Sequence, residues 1–254
     1  MNRAKTVRWV SEEGVGLITM NRPEKLNALN WDLFEDMKET LRAAEEDNEV
    51  RALILTGEGK GFCAGGDLED HPAFVEKDRL AREKLIRKSQ LLALALYGMS
   101  KPLIAAVNGV CAGAGVDIAA ACDIRIASEN AVFAMSFIRA GAMPDLGSTF
   151  LLPRLIGLGR AFELMLTGDS IDAGEASRIG LVNRVVSPPE LIPEARRLAL
   201  RLARGSADAH RLIKSAVHRG LSQDLEQALD DEARGQNLLF DSEPVKAYVR
   251  KYRK

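Results

Sequence analysis

The sequence has few cysteines, no excess of either charge and no leading apolar segment. Its three cysteines form no C-x-x-C pair, which argues against a disulfide framework and predicts a reducing compartment. The formal net charge is -1, with 35 Lys and Arg against 36 Asp and Glu, so no overall field attracts nucleic acid or anionic lipid. Because the chain opens MNRAKTVRW without a signal segment, we expect a cytoplasmic protein.

Several catalytic motifs are also missing. The chain contains no G-x-S-x-G, S-x-x-K or H-E-x-x-H, so serine-hydrolase and zinc-protease chemistry have no support. GEGKGF lacks the spacing of a P-loop, and GAGVDI lacks the third glycine of a dinucleotide fingerprint. No Cys, His and carboxylate cluster has metal-ligand spacing. We therefore predict neither a metal site nor a redox cofactor.

One apolar stretch is long enough to be considered as a membrane span. Residues 102–122 read PLIAAVNGVCAGAGVDIAAAC. Asn108-Gly109 is a turn signal in the middle of this stretch, and Asp117 would cost a few kcal/mol near the centre of a bilayer. A buried strand, a tight turn and a buried helix explain the stretch better, so we predict no membrane partner.

The order of the predicted elements indicates a layered α/β core. In chain order they are two short strands over residues 7–20 around a Glu-Glu-Gly turn, a helix from Asn30 or Asp32 to about residue 47, the buried strand RALILTG, the loop GEGKGFCAGGDL, a helix over about 79–98 and the strand LIAAV. GAGVDIAAA as helix and DIRIAS as strand repeat this order. Such repetition predicts right-handed βαβ-type crossovers.

From about residue 190 the pattern is helical only. We therefore predict a core over residues 1–190 and a C-terminal helical segment over 191–254. Basic residues recur at helical spacing in this segment, which favours a solvated face. They are Arg196, Arg197, Arg201 and Arg204, then Arg211, Lys214 and Arg219. RNA binding by these helices is the lesser alternative.

Two glycine-rich turns, GFCAGGDL at 61–68 and NGVCAGAGVD at 108–117, each follow an apolar strand. Glycine lets the backbone approach a ligand closely, and a helix that starts after such a turn leaves its first N–H groups without intrahelical partners. Two such turns side by side could hold one oxygen and stabilise a developing oxyanion. Tight strand-to-helix connections without a function are the alternative.

Five segments together resemble the crotonase superfamily, the enoyl-CoA hydratase/isomerase family. They are NRPEKLNAL, LILTGEGKGFCAGGDL, KPLIAAVNGVCAGAGVDIAAACDIRIAS, GAMPDLGSTFLLPRLIG and, at 176–186, A-x-x-x-G-L-V-N-R-V-V. The resemblance implies an α/β fold with a crotonase-like spiral of ββα repeats and a C-terminal helical trimerisation segment. It also implies an acyl-CoA thioester substrate, whose coenzyme A is not a separate cofactor, and a homotrimer or a dimer of trimers.

The resemblance also assigns binding positions. It places the two oxyanion-hole donors on the backbone N–H groups of Gly66 and Ala114, in the two glycine turns. The coenzyme A pocket of the family corresponds to Lys25, Ala28, Ala64, Asp67 and Leu68.

The acid–base residues decide which reaction follows. The two glutamates that hold water in hydratases of the family correspond here to Asp117 and Phe137, and phenylalanine cannot transfer a proton. Asp145, eight residues after Phe137, falls where aspartate-dependent isomerases of the family carry a catalytic aspartate. The resemblance is therefore closest to these isomerases and implies proton-transfer isomerisation of an enoyl- or ring-acyl-CoA.

Several alternatives remain open from the sequence. Asp117 and Asp145 together could position a water, as in an enoyl-CoA hydratase, and a non-catalytic RNA-binding relative is a candidate from another class. Asp117 is also compatible with a helix N-terminus, and Asp145 with a turn after Pro144. A catalytic aspartate needs apolar surroundings to raise its pKa toward neutrality. The neighbours predicted to supply them are Phe133, Met135, Phe137 and Met143.

Overall fold

The structure, a computed structural model, describes residues 6–69 and 71–251. Its strands are β1 (Val7–Glu12), β2 (Val15–Met20), β3 (Ala52–Gly57), β4 (Gly61–Cys63), β5 (Leu103–Val107), β6 (Val110–Ala112), β7 (Ile124–Ser128), β8 (Val132–Ala134), β9 (Ser170–Asp172) and β10 (Arg184–Val186). They form a six-stranded sheet in the order β1-β2-β3-β5-β7-β10 and a four-stranded sheet in the order β4-β6-β8-β9.

The helices of the first 190 residues lie between these strands. They are α1 (Trp31–Glu46), α2 (His71–Val75), α3 (Arg79–Tyr97), α4 (Ala114–Ala121), α5 (Ser148–Ile156), α6 (Leu158–Thr167) and α7 (Ala173–Arg178), with a 3-10 helix at Ser136–Ala140. Asn30, rather than Asp32, caps α1, because its side chain accepts a hydrogen bond from the Leu33 N–H at 2.9 Å.

Each repeat of the chain adds one strand to each sheet and then a helix. β3, β4 and α3 form one repeat, and β5, β6 and α4 form the next. The strands of successive repeats pair in parallel, β3 with β5 and β5 with β7 in the large sheet, and β4 with β6 and β6 with β8 in the small one. The predicted spiral of ββα repeats is therefore confirmed.

The prediction of a loop throughout GEGKGFCAGGDL is wrong, because the segment contains strand β4. Phe62 and Cys63 are fully buried in this strand, and it pairs in parallel with β6. Three residues between glycines are too few to show a periodic pattern. This short strand places the first glycine turn beside the second.

Helix α4 is the most buried helix of the core. All eight of its residues, Asp117 included, are buried. Gly115 allows this burial, since a Cβ there would lie 2.1 Å from the carbonyl oxygen of Cys63. None of the described helices combines the length and the apolar character needed to cross a membrane.

Four helices make up the predicted C-terminal segment: α8 (Leu191–Ala203), α9 (Ala207–Gly220), α10 (Leu225–Phe240) and α11 (Glu243–Arg250). Leu191, Ala195 and Leu198 of α8 pack into one apolar cluster with Ile54 and Ile104 of the large sheet. In contrast, α9, α10 and α11 contain no buried residue. The first helix of the segment thus completes the core, while the division at residue 190 stays a prediction.

The predicted solvated face is wrong for Lys214. Its ammonium group donates to the Asp123 carboxylate at 2.6 Å and to the Lys101 carbonyl oxygen at 2.9 Å, and only 13% of the side chain is exposed. This ion pair attaches α9 to the ends of β5 and β7. A basic residue at helical spacing can therefore serve docking rather than solvation.

Candidate active site

A cavity of about 530 Å³ opens where the two glycine turns meet α1, α3 and the 3-10 helix at Ser136–Ala140. Its apolar lining includes Trp31, Phe34, Phe74, Leu85, Ile86 and Phe137. The predicted site residues Gly66, Ala114, Asp145, Ala64, Asp67 and Leu68 all line it. Lys25, Ala28 and Asp117 are not among its lining residues. An apolar cavity with a few convergent polar groups is the usual form of a small-molecule site.

Glycines bring the two turns together. Gly65 and Gly113 have φ angles of +103° and +51°, a region that favours glycine. A Cβ on Gly65 would lie 3.0 Å from the Ala112 carbonyl oxygen and 3.7 Å from the Ala114 nitrogen. The predicted juxtaposition of the two turns is therefore present in the structure.

The two predicted donors, Gly66 and Ala114, differ in how they are held. Ala114 is the first residue of α4, so its N–H has no intrahelical acceptor. Gly66 faces Leu29, whose N–H donates to the Gly65 carbonyl at 2.7 Å and whose carbonyl accepts from the Asp67 N–H at 2.8 Å. Among the backbone hydrogen bonds of residues 6–69 and 71–251, neither Gly66 nor Ala114 is a donor. Both N–H groups can therefore donate to a ligand oxygen at the cavity.

Arg22, which was not predicted as a site residue from the sequence, stabilises the first turn. Its guanidinium donates to the Ala28 carbonyl at 2.6 Å and to the Asp67 carboxylate at 2.8 Å. Burial raises the pKa of Asp67, but Arg22 and the Glu69 N–H outweigh this effect, so the pKa lies below its ordinary value. Asp67, predicted to contact coenzyme A, therefore has a structural partner within the chain.

The other coenzyme A positions differ in their surroundings. The Lys25 ammonium pairs with the Glu69 carboxylate. Leu68 lines the cavity and is 74% exposed, whereas Ala64 is held by a hydrogen bond from its N–H to the Leu26 carbonyl at 3.0 Å. The structure thus brings Ala64 and Leu68 to the cavity and leaves Lys25 and Ala28 outside its lining.

Asp117 is fully buried beside the second turn. Its Oδ1 accepts hydrogen bonds from the backbone N–H of Ser148, at 3.0 Å, and from the Ser148 hydroxyl. Its Oδ2 has no hydrogen-bond partner among the described residues. Burial raises the pKa of Asp117 to about 8, and the negative charge of Asp145 contributes to the increase. At neutral pH Asp117 is therefore mainly a neutral acid.

Asp145 is half-buried and lines the cavity directly, in the loop between the 3-10 helix and α5. Of its predicted apolar neighbours, Phe137 also lines the cavity. Phe133 and Met135 lie buried in the core cluster instead. The prediction is wrong for Met143, because 70% of its surface is exposed. Closeness in sequence did not bring these side chains to one place.

Within the described residues, no three His, Cys, Asp or Glu side chains are grouped as metal ligands would be. The polar groups at the cavity are instead backbone N–H groups and the side chains of Asn30, Asp67, Ser89, Ser136, Arg139 and Asp145. Such an arrangement can bind an oxygen and exchange a proton.

The similarity to known proteins extends over nearly the whole chain. The sequence model of the family Enoyl-CoA hydratase/isomerase matches residues 10–253. A Clostridium acetobutylicum protein named short-chain-enoyl-CoA hydratase is 41% identical over 243 residues, 93% of this chain and 90% of the relative. An Escherichia coli protein named 1,2-epoxyphenylacetyl-CoA isomerase is 39% identical over 248 residues, 94% of each chain.

The fold comparison agrees with these relatives. A crystal structure described as a putative enoyl-CoA hydratase, from Streptomyces coelicolor, matches with a TM-score of 0.93 at 36% identity, covering 99% of this chain and 92% of the other. Fold and sequence thus lead to one conclusion. The chain belongs to the enoyl-CoA hydratase/isomerase family.

Proposed function

We propose that the protein catalyses proton-transfer isomerisation of an enoyl- or ring-acyl-CoA thioester. The observation that carries the proposal is the composition of the cavity wall, in which two N–H groups without backbone partners and Asp145 occur together with Phe137. Phe137 occupies the position where the family resemblance implies the second glutamate of hydratases. Because phenylalanine cannot exchange a proton, we infer that Asp145 is the carboxyl that reaches the substrate.

The N–H groups of Gly66 and Ala114 would bind the thioester oxygen. Loss of an α or γ proton from the acyl chain leaves an electron pair that delocalises onto this oxygen, where negative charge develops. Preorganised donors stabilise such a charge without reorganisation, and a single donor is typically worth about 3–4 kcal/mol of barrier. The surrounding apolar side chains strengthen the effect because they exclude water.

The two aspartates would have different protonation states. Asp117, with a pKa of about 8, is neutral at pH 7, so it does not repel an ionised Asp145. Asp145 removes a proton from one carbon of the acyl chain, and the double bond moves as the electron pair shifts to the thioester oxygen. Return of a proton to another carbon restores the thioester and the carboxylate. Atoms and charge balance without water or an oxidant.

Hydration of a trans-2-enoyl-CoA is the second candidate. The names of the Clostridium acetobutylicum relative and of a Rhodobacter capsulatus relative, a probable enoyl-CoA hydratase 40% identical over 251 residues, support it. Asp117 and Asp145, which influence each other electrostatically, would then hold the attacking water. The phenylalanine at position 137 weighs against this candidate.

Turnover of a panel of acyl-CoAs by wild type and Asp145→Asn tests the proposal. The panel contains 3-enoyl, 3,5-dienoyl, trans-2-enoyl and ring-epoxide thioesters, and the exposed Asp230 on α10 supplies the matched control Asp230→Asn. We expect Asp145→Asn to lose about 10²- to 10⁴-fold in isomerisation while the control keeps full activity. Isomerisation at the wild-type rate in Asp145→Asn would refute the role of Asp145. Hydration of the trans-2-enoyl thioester that survives in Asp145→Asn would move the chemistry to Asp117.

We further propose that the chain assembles as a homotrimer or a dimer of trimers. Apolar side chains on the outer helices support this, with Val217 on α9 and Leu229 and Leu238 on α10 all more than half exposed. Light scattering on the purified protein tests it, with a mass of three or six chains as the expected result and a monomer as the contrary one. The basic helices give little support to RNA binding, since Arg196, Arg197 and Arg219 pair with acidic residues.

A further inference from the structure

The side chain of Ser148 serves another helix rather than its own. Ser148 is the first residue of α5, and its neighbour Gly147 caps that helix without a side-chain hydrogen bond. The Ser148 hydroxyl points to α4 and donates to Asp117 Oδ1, together with the Ser148 backbone N–H at 3.0 Å. Ser148 is fully buried. Its two donors therefore join the helix that begins at the second glycine turn to the loop that carries Asp145.

The hydrogen bonds of the Asp117 carboxyl are asymmetric. Oδ1 accepts two, both from Ser148, while Oδ2 has no partner among the described residues. In a neutral carboxylic acid, one oxygen carries the proton and the other acts as acceptor. The oxygen that already accepts two donors is the unprotonated one. The proton of neutral Asp117 therefore lies on Oδ2.

We propose that Ser148 is a positioning residue, which holds Oδ1 of Asp117 with two donors and thereby sets both the orientation of the protonated Oδ2 and the pH at which this acid ionises. The consequence for catalysis rests on the proposed function. Ionised Asp117 places a negative charge in the first turn of the helix whose first N–H group, that of Ala114, would bind the thioester oxygen, and this charge opposes the negative charge that develops on that oxygen. Ser148 thus controls the upper limit of the pH range in which the enzyme is active.

The other groups around Asp117 do not replace the Ser148 hydroxyl. The Leu146 backbone N–H also lowers the pKa of Asp117, and it is present in Ser148→Ala as in wild type. Helix α4 packs against α3, α5, β4 and β6. Cys63 on β4 and Cys111 on β6 are the titratable groups of those strands that act on Asp117, and burial raises the pKa of both thiols, to about 12 for Cys63. Both thiols therefore stay neutral over the pH range in which Asp117 ionises. Arg125 lies at the far end of α4, where it donates to the Cys122 carbonyl at 2.6 Å.

Removal of the Ser148 hydroxyl should raise the pKa of Asp117. A donor to a carboxylate stabilises the charged form, so Ser148→Ala makes Asp117 harder to ionise. Loss of one hydrogen bond to a charged group corresponds to a shift of about one pH unit, or roughly tenfold in the ionisation constant. The Ser148 backbone N–H remains, so the carboxyl keeps that donor.

Infrared difference spectra of the free enzyme against pH measure this ionisation without substrate. Asp117→Asn identifies the carbonyl band of the protonated Asp117 carboxyl by its disappearance. We expect that band to titrate about one pH unit higher in Ser148→Ala than in wild type. Thr149→Ala, which removes the hydroxyl of the next and exposed residue, is the matched control and leaves the midpoint unchanged. An unchanged midpoint in Ser148→Ala would overturn the proposal.

The pH profile of turnover then separates this inference from the proposed function. In Ser148→Ala, the alkaline limb of kcat should move up by the same interval as the infrared midpoint, with KM little changed. An infrared shift in a protein that isomerises no acyl-CoA would refute the proposed function and leave the role of Ser148 intact. If thermal unfolding shows that Ser148→Ala is not folded, Ser148→Cys replaces it. This variant keeps a weaker donor, and we expect a smaller shift in the same direction, whereas no shift would overturn the proposal.

Discussion

The two glycine turns at the cavity present one backbone donor each, yet different forces hold them. The first turn, with Gly66, is irregular and depends on polar contacts, chiefly the Arg22–Asp67 ion pair at 2.8 Å. The second, with Ala114, is the start of a helix whose eight residues are all buried. One donor is thus held by charge and the other by packing. Similar glycine patterns in a sequence can therefore produce sites with different sensitivities.

The packing of the second turn should be the least tolerant of change. A Cβ at Gly115 would meet the backbone of Cys63 at 2.1 Å, and neither backbone can move aside. We expect Gly115→Ala to destabilise the protein by more than about 4 kcal/mol and to prevent cooperative folding. Thermal unfolding followed by circular dichroism measures this effect.

The matched control for that substitution is Gly235→Ala on α10, where an added Cβ meets nothing within 4 Å. Alanine favours a helix by up to about 1 kcal/mol over glycine, so the control should unfold at the wild-type temperature or above. A folded Gly115→Ala protein with wild-type stability would refute the packing explanation of the second turn.

The free energy of unfolding should depend on pH in opposite directions for the aspartates beside the two turns. Asp117, beside the second turn, has a pKa raised from 3.8 to about 8, so the folded state holds a proton that the unfolded state has released. Its contribution is fully present below about pH 4 and is lost as the pH rises to about 8. The slope in this window approaches about 1.4 kcal/mol per pH unit. Urea unfolding at a series of pH values measures it, and Asp117→Asn should flatten the curve.

Asp67, in the first turn, has the opposite sign. Its pKa is lowered from 3.8, so its contribution is present above that value and is lost as the pH falls through the lower folded pKa. Asp67→Asn should therefore flatten only the acid end of the stability curve, below about pH 4. Loss of the ion pair lowers stability by a constant amount near neutral pH, so a change in the slope of the stability curve there would contradict the separation of the two turns.

Loss of the ion pair should loosen the first turn selectively. Arg22→Gln leaves Asp67 without its charged partner, and disruption of a pair this deeply buried costs roughly 3 kcal/mol. Because the Gly66 donor would be less well placed, we also expect kcat to fall by up to about a hundredfold. Enzyme assays together with denaturant unfolding measure both effects. Arg42→Gln, at an exposed pair on α1, is the control and should cost less than about 0.5 kcal/mol.

The smallest effect concerns the backbone of the first turn. Gly65 has a φ angle of +103°, so Gly65→Ala introduces strain of about 1–2 kcal/mol. Its Cβ would also press on the Ala112 carbonyl at 3.0 Å, at the junction with the second turn. We expect a small loss of stability but a clear loss of kcat, measured on the same samples. Equal activity to wild type would show that the spacing of the turns is not critical.

The sequence predicted those parts of the fold that local patterns encode. Helix α1 and strand β3 follow from apolar periodicity and capping residues, whereas the spiral of ββα repeats was implied by the family resemblance. Strand β4 was missed because three buried residues between glycines carry no periodic signal. Likewise, the helical spacing of Lys214 did not show that Asp123, distant in sequence, would pair with it.

In the candidate site, too, some residues could be predicted from the sequence and others could not. Gly66, Ala114 and Asp145 belong to motifs that are legible in the sequence, and the structure places all three at one cavity. Arg22 and Ser148 were not selected, because their importance lies in contacts with Asp67 and Asp117 across 45 and 31 residues. A polar residue next to a motif is a signal for such partners, but only the fold shows which carboxyl each one meets.

The mass of the product formed from a 3-enoyl-CoA or a trans-2-enoyl-CoA distinguishes isomerisation from hydration, because only hydration adds a molecule of water. Isomerisation through Asp145 adds no water, so we expect wild type to convert the substrate into an isomer of unchanged mass, resolved by chromatography, and Asp145→Asn to form at least about a hundredfold less of it. A product heavier by one molecule of water, formed equally well by both proteins, would contradict the proposed isomerase and establish hydration without Asp145.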